Sequence, residues 1–239
     1  MKRMRLLLMV LAVFGLTANA FAAEETLQQI FNGFTLSNGH VSTVDAVNGM
    51  IKDPGDSTWA IGGTGQSAVT FIIELAGNAA VNSFGIYDAT DDTKLVQIMS
   101  GPDTNGAKKI VTFNMAGDVE LNYVDTGVKF AGNAFGYYIN TPDGIFYSDT
   151  SKNTDQYDHM WAYAGTGDTI KLPGNPFSGI WGDNEYALAF EDSINGGDKD
   201  HNDLVVMVES VNPVPEPGTM ILLGLGLIGL AQARRRAKK

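Results

Sequence analysis

The sequence predicts an all-β fold, an antiparallel β-sandwich of jelly-roll type, on three observations. Apolar residues recur at period two: Val69, Phe71, Ile73 and Leu75 alternate with Thr70, Ile72 and Glu74, and Val111, Phe113 and Met115 with Thr112 and Asn114. This is the pattern of half-buried strands. Such runs are separated by turn signals, among them Asp91-Asp92, Asn105-Gly106, Pro142-Asp143-Gly144 and Gly196-Gly197. Helical periodicity is scarce and no repeat of fixed period is present, which sets aside a propeller or a solenoid. The 239 residues suffice for one sizeable β domain with a substantial core.

Taken in order, the chain opens with Lys2, Arg3 and Arg5, an apolar run from Leu6 to Leu16, and small residues ending in Ala20-Phe21-Ala22. This is the three-part layout of a secretory signal, expected as a helix over 1–22 and cut after Ala22. A membrane anchor is the alternative, and the run is short for the ~30 Å of bilayer hydrocarbon. The β-sandwich domain is expected over 23–211. Within it Leu27, Ile30, Phe31 and Phe34 keep the i, i+3, i+4, i+7 spacing of a short amphipathic helix ahead of the sheets. Further strands are expected from Ser83 to Tyr87, Leu95 to Met99, Val119 to Val124, Ala134 to Ile139, Gly144 to Tyr147, His159 to Tyr163, Tyr186 to Phe190 and Leu204 to Val208. Residues 212–218 include Pro213, Pro215 and Pro217, which disfavour a central strand and predict an extended linker. Residues 219–233 hold the apolar run Met220 to Ala231, a short hydrophobic helix of about 18 Å. The basic tail over 234–239, with Arg234, Arg235, Arg236, Lys238 and Lys239, is expected to stay cytoplasmic while the body lies outside the membrane.

Charge is sharply partitioned along the chain. Residues 23–217 carry 8 lysines, no arginine and all 27 acidic residues, a net of −19. Such a body repels phosphate backbones, so no nucleic acid partner is expected. The absence of cysteine excludes disulfides, thiolate metal sites and thiol nucleophiles. An exported domain of this kind wants another staple, and bound calcium is a candidate.

The richest stretch runs from Phe190 to Glu209. Asp198, Asp200, Asn202 and Asp203 crowd side-chain oxygens into six residues, and Glu191 and Asp192 stand at the other end of the loop. A hairpin would bring the two ends together, and several carboxylate, amide and carbonyl oxygens are what calcium takes as ligands. The Asp198, Asp200, Asn202 spacing imitates the first EF-hand positions, with Glu209 twelfth. However, position six is Asp203 where a glycine is needed, and Leu204 to Val208 reads as a strand. The expectation is a loop-strand calcium site of Asp198, Asp200, Asn202 and Asp203, closed by Glu191 or Asp192; a solvated acidic turn is the alternative. Asp149, Asn153, Asp155, Asp158 and His159 form a second oxygen-rich cluster, read either as an ion site or, preferably, as a loop with turn chemistry and a locally bonded histidine. Only His40, His159 and His201 are present, and none are paired at zinc spacing.

Two resemblances follow from these motifs. Pro215-Glu216-Pro217, the short apolar helix and the terminal arginine cluster resemble the PEP-CTERM sorting signal of Gram-negative bacteria that make extracellular polysaccharide. That resemblance implies cleavage by a membrane exosortase at Pro215, Glu216 and Pro217, transient anchoring in the inner membrane, and delivery to the cell surface or extracellular matrix. An ordinary tail anchor is the alternative. The stretch from about Ala134 to Val211, with Phe190-Glu191-Asp192 and Gly196 to Val206 as its core, resembles the domain of unknown function 4114. The resemblance implies a β domain with an acidic loop and no established reaction; His201 stands where an aromatic residue is more usual.

No enzyme is expected, since the chain has neither a Gly-x-Ser-x-Gly elbow nor a phosphate loop, and no carboxylate pair stands out. The expected function is that of an exosortase-sorted structural protein of the cell surface or extracellular matrix with a calcium-stabilised β domain. The alternative is a carbohydrate-binding module for extracellular polysaccharide, in which Trp59, Tyr138, Trp161 or Trp181 stack on sugar rings. Buried rings would favour the first reading and exposed coplanar rings the second.

Overall fold

The computed structural model describes residues 24–62, 65–74, 80–214 and 234. The expected signal helix, the Pro215-Glu216-Pro217 motif and the hydrophobic helix over 219–233 lie outside the described residues. Helix α1 (Leu27–Phe34) forms where the i, i+3, i+4, i+7 spacing predicts it. Its start is fixed by a capping box, in which the Thr26 side chain accepts from the Gln29 amide and the Gln29 side chain accepts from the Thr26 amide. Leu27, Ile30, Phe31 and Phe34 are its buried residues.

Among the described residues the sheets are built of antiparallel strands, with short 3-10 turns at Thr150–Lys152 and Ile194–Gly196. One sheet has the order β15 (Val211–Pro213), β1 (Trp59–Ile61), β8 (Ala134–Thr141), β3 (Ser83–Asp88) and β4 (Asp91–Ser100), with β9 (Gly144–Tyr147) also paired to β8. The second has the order β10 (Met160–Ala164), β13 (Glu185–Phe190), β14 (Leu204–Glu209), β2 (Gln66–Glu74), β5 (Lys108–Phe113), β6 (Asp118–Leu121) and β7 (Val124–Lys129). β11 (Thr169–Ile170) and β12 (Gly179–Ile180) form a separate small pair. The predicted sandwich is therefore observed; a jelly-roll winding is not established by this strand order.

The main core lies between the sheets, where Trp59, Phe84, Ile86, Phe135, Tyr137 and Ile139 of the first meet Val69, Leu188, Phe190, Val206 and Val208 of the second. A third layer covers the outer face of the second sheet. There α1 and Trp181 pack on Tyr163, Ala187, Ala189, Val205 and Met207, with Phe31 edge-on to both Tyr163 and Trp181 at 5.0 and 5.6 Å. Because both faces of β13 and β14 are covered, these strands read as near-continuous apolar runs rather than alternating ones. Each fully buried large side chain contributes roughly 1.5–3 kcal/mol. This covered pair is the rigid base from which the acidic loop projects.

Four expectations need correction. The strand expected to run through Met115 ends at Phe113, where a turn closed by the Gly117 amide donating to the Asn114 carbonyl leaves Met115 exposed. Val119 to Val124 is not one strand: Asn122 and Tyr123 both take positive φ, 53° and 65°, and form a two-residue hairpin turn that pairs Leu121 with Val124. Asp91-Asp92 is not a turn, because Asp88 caps the Ala89-Thr90 corner by accepting from the Thr90 amide and hydroxyl, so β4 begins at Asp91. β15 enters the stretch expected as linker, pairing Pro213 with Trp59; an edge strand tolerates proline because one side of its backbone needs no partner. Among the described residues no helix is long and apolar enough to cross a membrane.

Candidate metal centre

β13 and β14 pair in register from Glu185 with Glu209 to Phe190 with Leu204, so residues 191–203 form the hairpin loop that the sequence predicts. Backbone strain is concentrated there. Asn195, Lys199 and His201 all have positive φ, as do Gly196 and Gly197, an unusual density for non-glycine residues. Glycine is required at both of the latter positions: a Cβ on Gly196 would collide with the Tyr157 ring, and one on Gly197 would lie 3.1 Å from Glu191 Oε2.

The loop gathers Glu191, Asp198 and Asp200 so that one carboxylate oxygen of each lies within 4.8 Å of the others. An ion bonded to each at the 2.3–2.6 Å of calcium requires ligand oxygens no farther apart than about 5 Å. Glu191 is fully buried; its Oε1 accepts from the His201 amide at 2.7 Å, while its Oε2 has no hydrogen-bond partner. Asn202 is also buried. Its amide nitrogen donates to Asp200 Oδ2 at 2.6 Å and to the Glu25 carbonyl at 2.7 Å, and its Oδ1 is left without a partner. Two buried oxygen acceptors are thus orphaned beside two further carboxylates, an arrangement that a hard cation would satisfy.

The other predicted ligands fall nearby but are differently engaged. Asp203 Oδ2 accepts from the Asp192 amide at 2.9 Å. The Asp192 carboxylate accepts from Asn82 Nδ2 at 2.9 Å and from the Ser193 hydroxyl at 2.8 Å, bonds that tie the loop to the start of β3. Of the two candidates for closing the site, Glu191 is therefore the one that joins Asp198 and Asp200.

Electrostatics agree with a site short of positive charge. Burial first, and then the carboxylates of Asp203, Asp198 and Asp200, push Glu191 up to about 8, against the bond from the His201 amide. Burial and the neighbouring carboxylates likewise push Asp203 up to about 7, and raise Asp200. Among the described residues no ion pair includes Asp198, Asp200 or Asp203, and the one lysine of the loop, Lys199, sits over the Tyr157 ring, 5.6 Å from its centroid.

His201 has a role that the sequence did not reveal. Its ring stacks on Trp161 at 3.6 Å, its Nε2 meets the Asp158 carbonyl at 2.9 Å, and burial lowers its pKa to about 4. The neutral ring therefore donates from Nε2 and fixes the backbone amide that holds Glu191. The second oxygen-rich cluster mostly shows turn chemistry: Asp149 accepts from the Ser151 amide, Asn153 bonds Tyr147 and Tyr157, and Asp155 accepts from the Asn195 amide. His159 bridges Asp155 and the Glu191 carbonyl, which braces the acidic loop from below. Of the aromatics considered for sugar stacking, Trp59, Tyr138 and Trp181 are buried, and half-buried Trp161 is covered on one face by His201.

Residues 213–236 match the family model described as the PEP-CTERM protein-sorting motif, and residues 121–211 match that of a domain of unknown function, DUF4114. The second match begins earlier than the sequence resemblance placed it, within β6. No curated protein and no solved structure matches the chain. The sorting motif implies an exported protein recognised by an exosortase and sorted to the cell surface: residues 213–236 carry the PEP-CTERM signal, and residues 121–211 resemble the domain of unknown function DUF4114.

Proposed function

We propose that the chain is a structural protein of the cell surface or extracellular matrix, retained among extracellular polysaccharide, whose β domain is stabilised by calcium in the loop over 191–203. It does no catalysis in this reading. After export it is anchored by its C-terminal helix until an exosortase cuts at Pro215-Glu216-Pro217. The observation that carries the calcium assignment is the gathering of buried Glu191, whose Oε2 is partnerless, with Asp198 and Asp200; a second buried, partnerless oxygen, Asn202 Oδ1, belongs to the side chain that bonds Asp200. Glu191, Asp198, Asp200 and Asn202 would hold the ion, with Asp203 adjacent. A cation bound only by the folded chain stabilises it by mass action, about 2.7 kcal/mol at a hundredfold excess over Kd. The burial of Trp59, Tyr138 and Trp181 gives no support to the carbohydrate-binding alternative.

Calorimetric titration of the exported chain with calcium tests this reading. Binding is expected between micromolar and millimolar calcium, with a raised melting temperature, and Asp200→Ala should remove most of the rise attributable to the loop. No binding in that range overturns the site.

A further inference from the structure

A second set of carboxylates is buried on the far side of Asp158. The segment after α1 is pinned to the edge of β10 by the Ile51 amide, which donates to the Ala162 carbonyl at 2.8 Å. The chain then folds tightly through Asp53-Pro54-Gly55-Asp56, closed by a bond from the Gly55 amide to the Lys52 carbonyl. Trp59 locks this turn, its indole nitrogen donating to the Asp56 carbonyl at 2.6 Å. The consequence is that Asp56 is completely buried, and its two carboxylate oxygens make no hydrogen bond of ordinary geometry, only loose approaches from its own amide and that of Ala162. Asp158, just before β10, also has a buried oxygen, Oδ1, without a hydrogen bond of ordinary geometry, while the Met160 amide and the Trp161 indole approach its carboxylate. Asp53 takes only a weak bond from the Ser57 hydroxyl, at 3.3 Å.

Protein interiors leave very few polar atoms unsatisfied, and an isolated buried carboxylate costs several kcal/mol. The three groups feel one another: burial and then Asp158 push Asp56 up to about 8, and burial and then Asp53 push Asp158 up to about 6. Among the described residues no ion pair includes any of the three. A proton on Asp56 removes its charge but leaves its second oxygen orphaned. A cation lodged between the two carboxylates would satisfy both oxygens of Asp56 and the free oxygen of Asp158. The donors are all oxygens, with neither sulfur nor imidazole among them, which selects a hard divalent ion.

We propose that Asp56 and Asp158 hold a second cation of the calcium class, with Asp53 contributing further negative charge. This site is separate from the hairpin loop, although Asp158 serves both: its carboxylate is coupled electrostatically to Asp56, and its carbonyl holds His201. Such an ion would tie the segment preceding β1 to β10 and so clamp the two sheets at one end.

Counting ions tests the proposal. The exported chain, stripped with chelator, is titrated with calcium by calorimetry and with terbium by tryptophan-sensitised luminescence, since Trp59 bonds the Asp56 carbonyl. The expected result is two ions per chain, falling to one in Asp56→Asn and to one, the other ion, in Asp200→Ala. In chelator, Asp56→Asn is expected to melt at or above the wild type, because an uncompensated charge is gone. If Asp56→Asn fails to fold, Asp158→Asn should show the same drop from two ions to one. A wild type that binds a single ion lost in Asp200→Ala, or an Asp56→Asn or Asp158→Asn chain that still binds two, overturns the second site while leaving the loop site intact. A single ion that is kept in Asp200→Ala and lost in Asp56→Asn supports the second site and removes the first.

Discussion

At the scale of single residues, the sequence shows which carboxylates exist but not which are satisfied. Asp168 and Asp56 are both nearly or wholly buried, yet they are opposites. Asp168 accepts from the Ser37 and Ser42 hydroxyls, the Asn38 side-chain amide and the Thr43 backbone amide, so it organises the loop over 37–43 across a separation of more than a hundred residues. No local pattern could announce that arrangement, because every donor comes from a distant segment. Burial pushes the Asp168 carboxyl up, but the bonds from Thr43, Ser42 and Ser37 outweigh it and leave the pKa below its ordinary 3.8. A carboxyl lowered by folding contributes stability that is present above its unfolded pKa and lost as pH falls through the folded one. Asp168→Asn is therefore expected to cost about 2–3 kcal/mol at neutral pH, since an amide presents donors where Ser42 and Thr43 also donate. Urea unfolding should show this penalty shrinking below about pH 4, where the wild-type carboxyl begins to protonate; a penalty independent of pH would mean the charge is not what matters.

At the scale of elements, legibility followed length and periodicity. Helix α1 was readable because four apolar residues share one face, and β13 and β14 because their runs are unbroken. β1, β11, β12 and β15 were not, being two or three residues long and defined by their partners rather than by any pattern of their own. The pairing of β3 with β8 shows another limit: Tyr87 lies opposite Gly136 and Gly85 opposite Tyr138, and each tyrosine ring covers the glycine across from it. A Cβ on Gly136 would strike the Tyr87 ring, and one on Gly85 would lie 2.6 Å from Tyr138 Cε1. Gly136→Ala is expected to destabilise by about 2–3 kcal/mol through overpacking, measurable by denaturant unfolding, whereas Gly132→Ala, which meets nothing within 4 Å, should be close to neutral. The acidic hairpin was legible as a donor set, but the choice of Glu191 over Asp192 depended on Asn82, which lies 110 residues from Asp192. Its carboxyls also predict a pH effect. Glu191 and Asp203 are raised on folding to about 8 and about 7, so the metal-free chain loses their contribution as pH climbs toward those values. Calcium competes with those protons. The calcium-induced rise in melting temperature should therefore grow between about pH 6 and pH 8; a rise that is flat across this window would exclude Glu191 as a ligand and leave Asp203 outside the field of the ion.

At the scale of the whole molecule, the join between β domain and sorting signal is the part that sequence and structure together define best. Val211 is fully buried, Val211–Pro213 pairs with β1 along its full length, and the Val214 amide donates to the Thr58 carbonyl at 2.8 Å. The sheet thus uses the chain up to the residue before Pro215, and cleavage at Pro215-Glu216-Pro217, as proposed, would leave every one of these contacts on the released domain. Shortening the chain from this side should consequently have a sharp threshold. A chain ending at Val214 is expected to melt within about a degree of one that keeps the sorting segment. A chain ending at Ser210 loses the burial of Val211 and the β15 ladder, together worth roughly 2–4 kcal/mol, and uncovers the Trp59 edge of the first sheet. With about 190 residues in the body, that loss corresponds to a fall of roughly 5–15 °C, readable by circular dichroism in saturating calcium. If both chains melt alike, β15 is not part of the stable domain, and the sorting signal begins earlier than the hydrogen bonding at Val214 indicates.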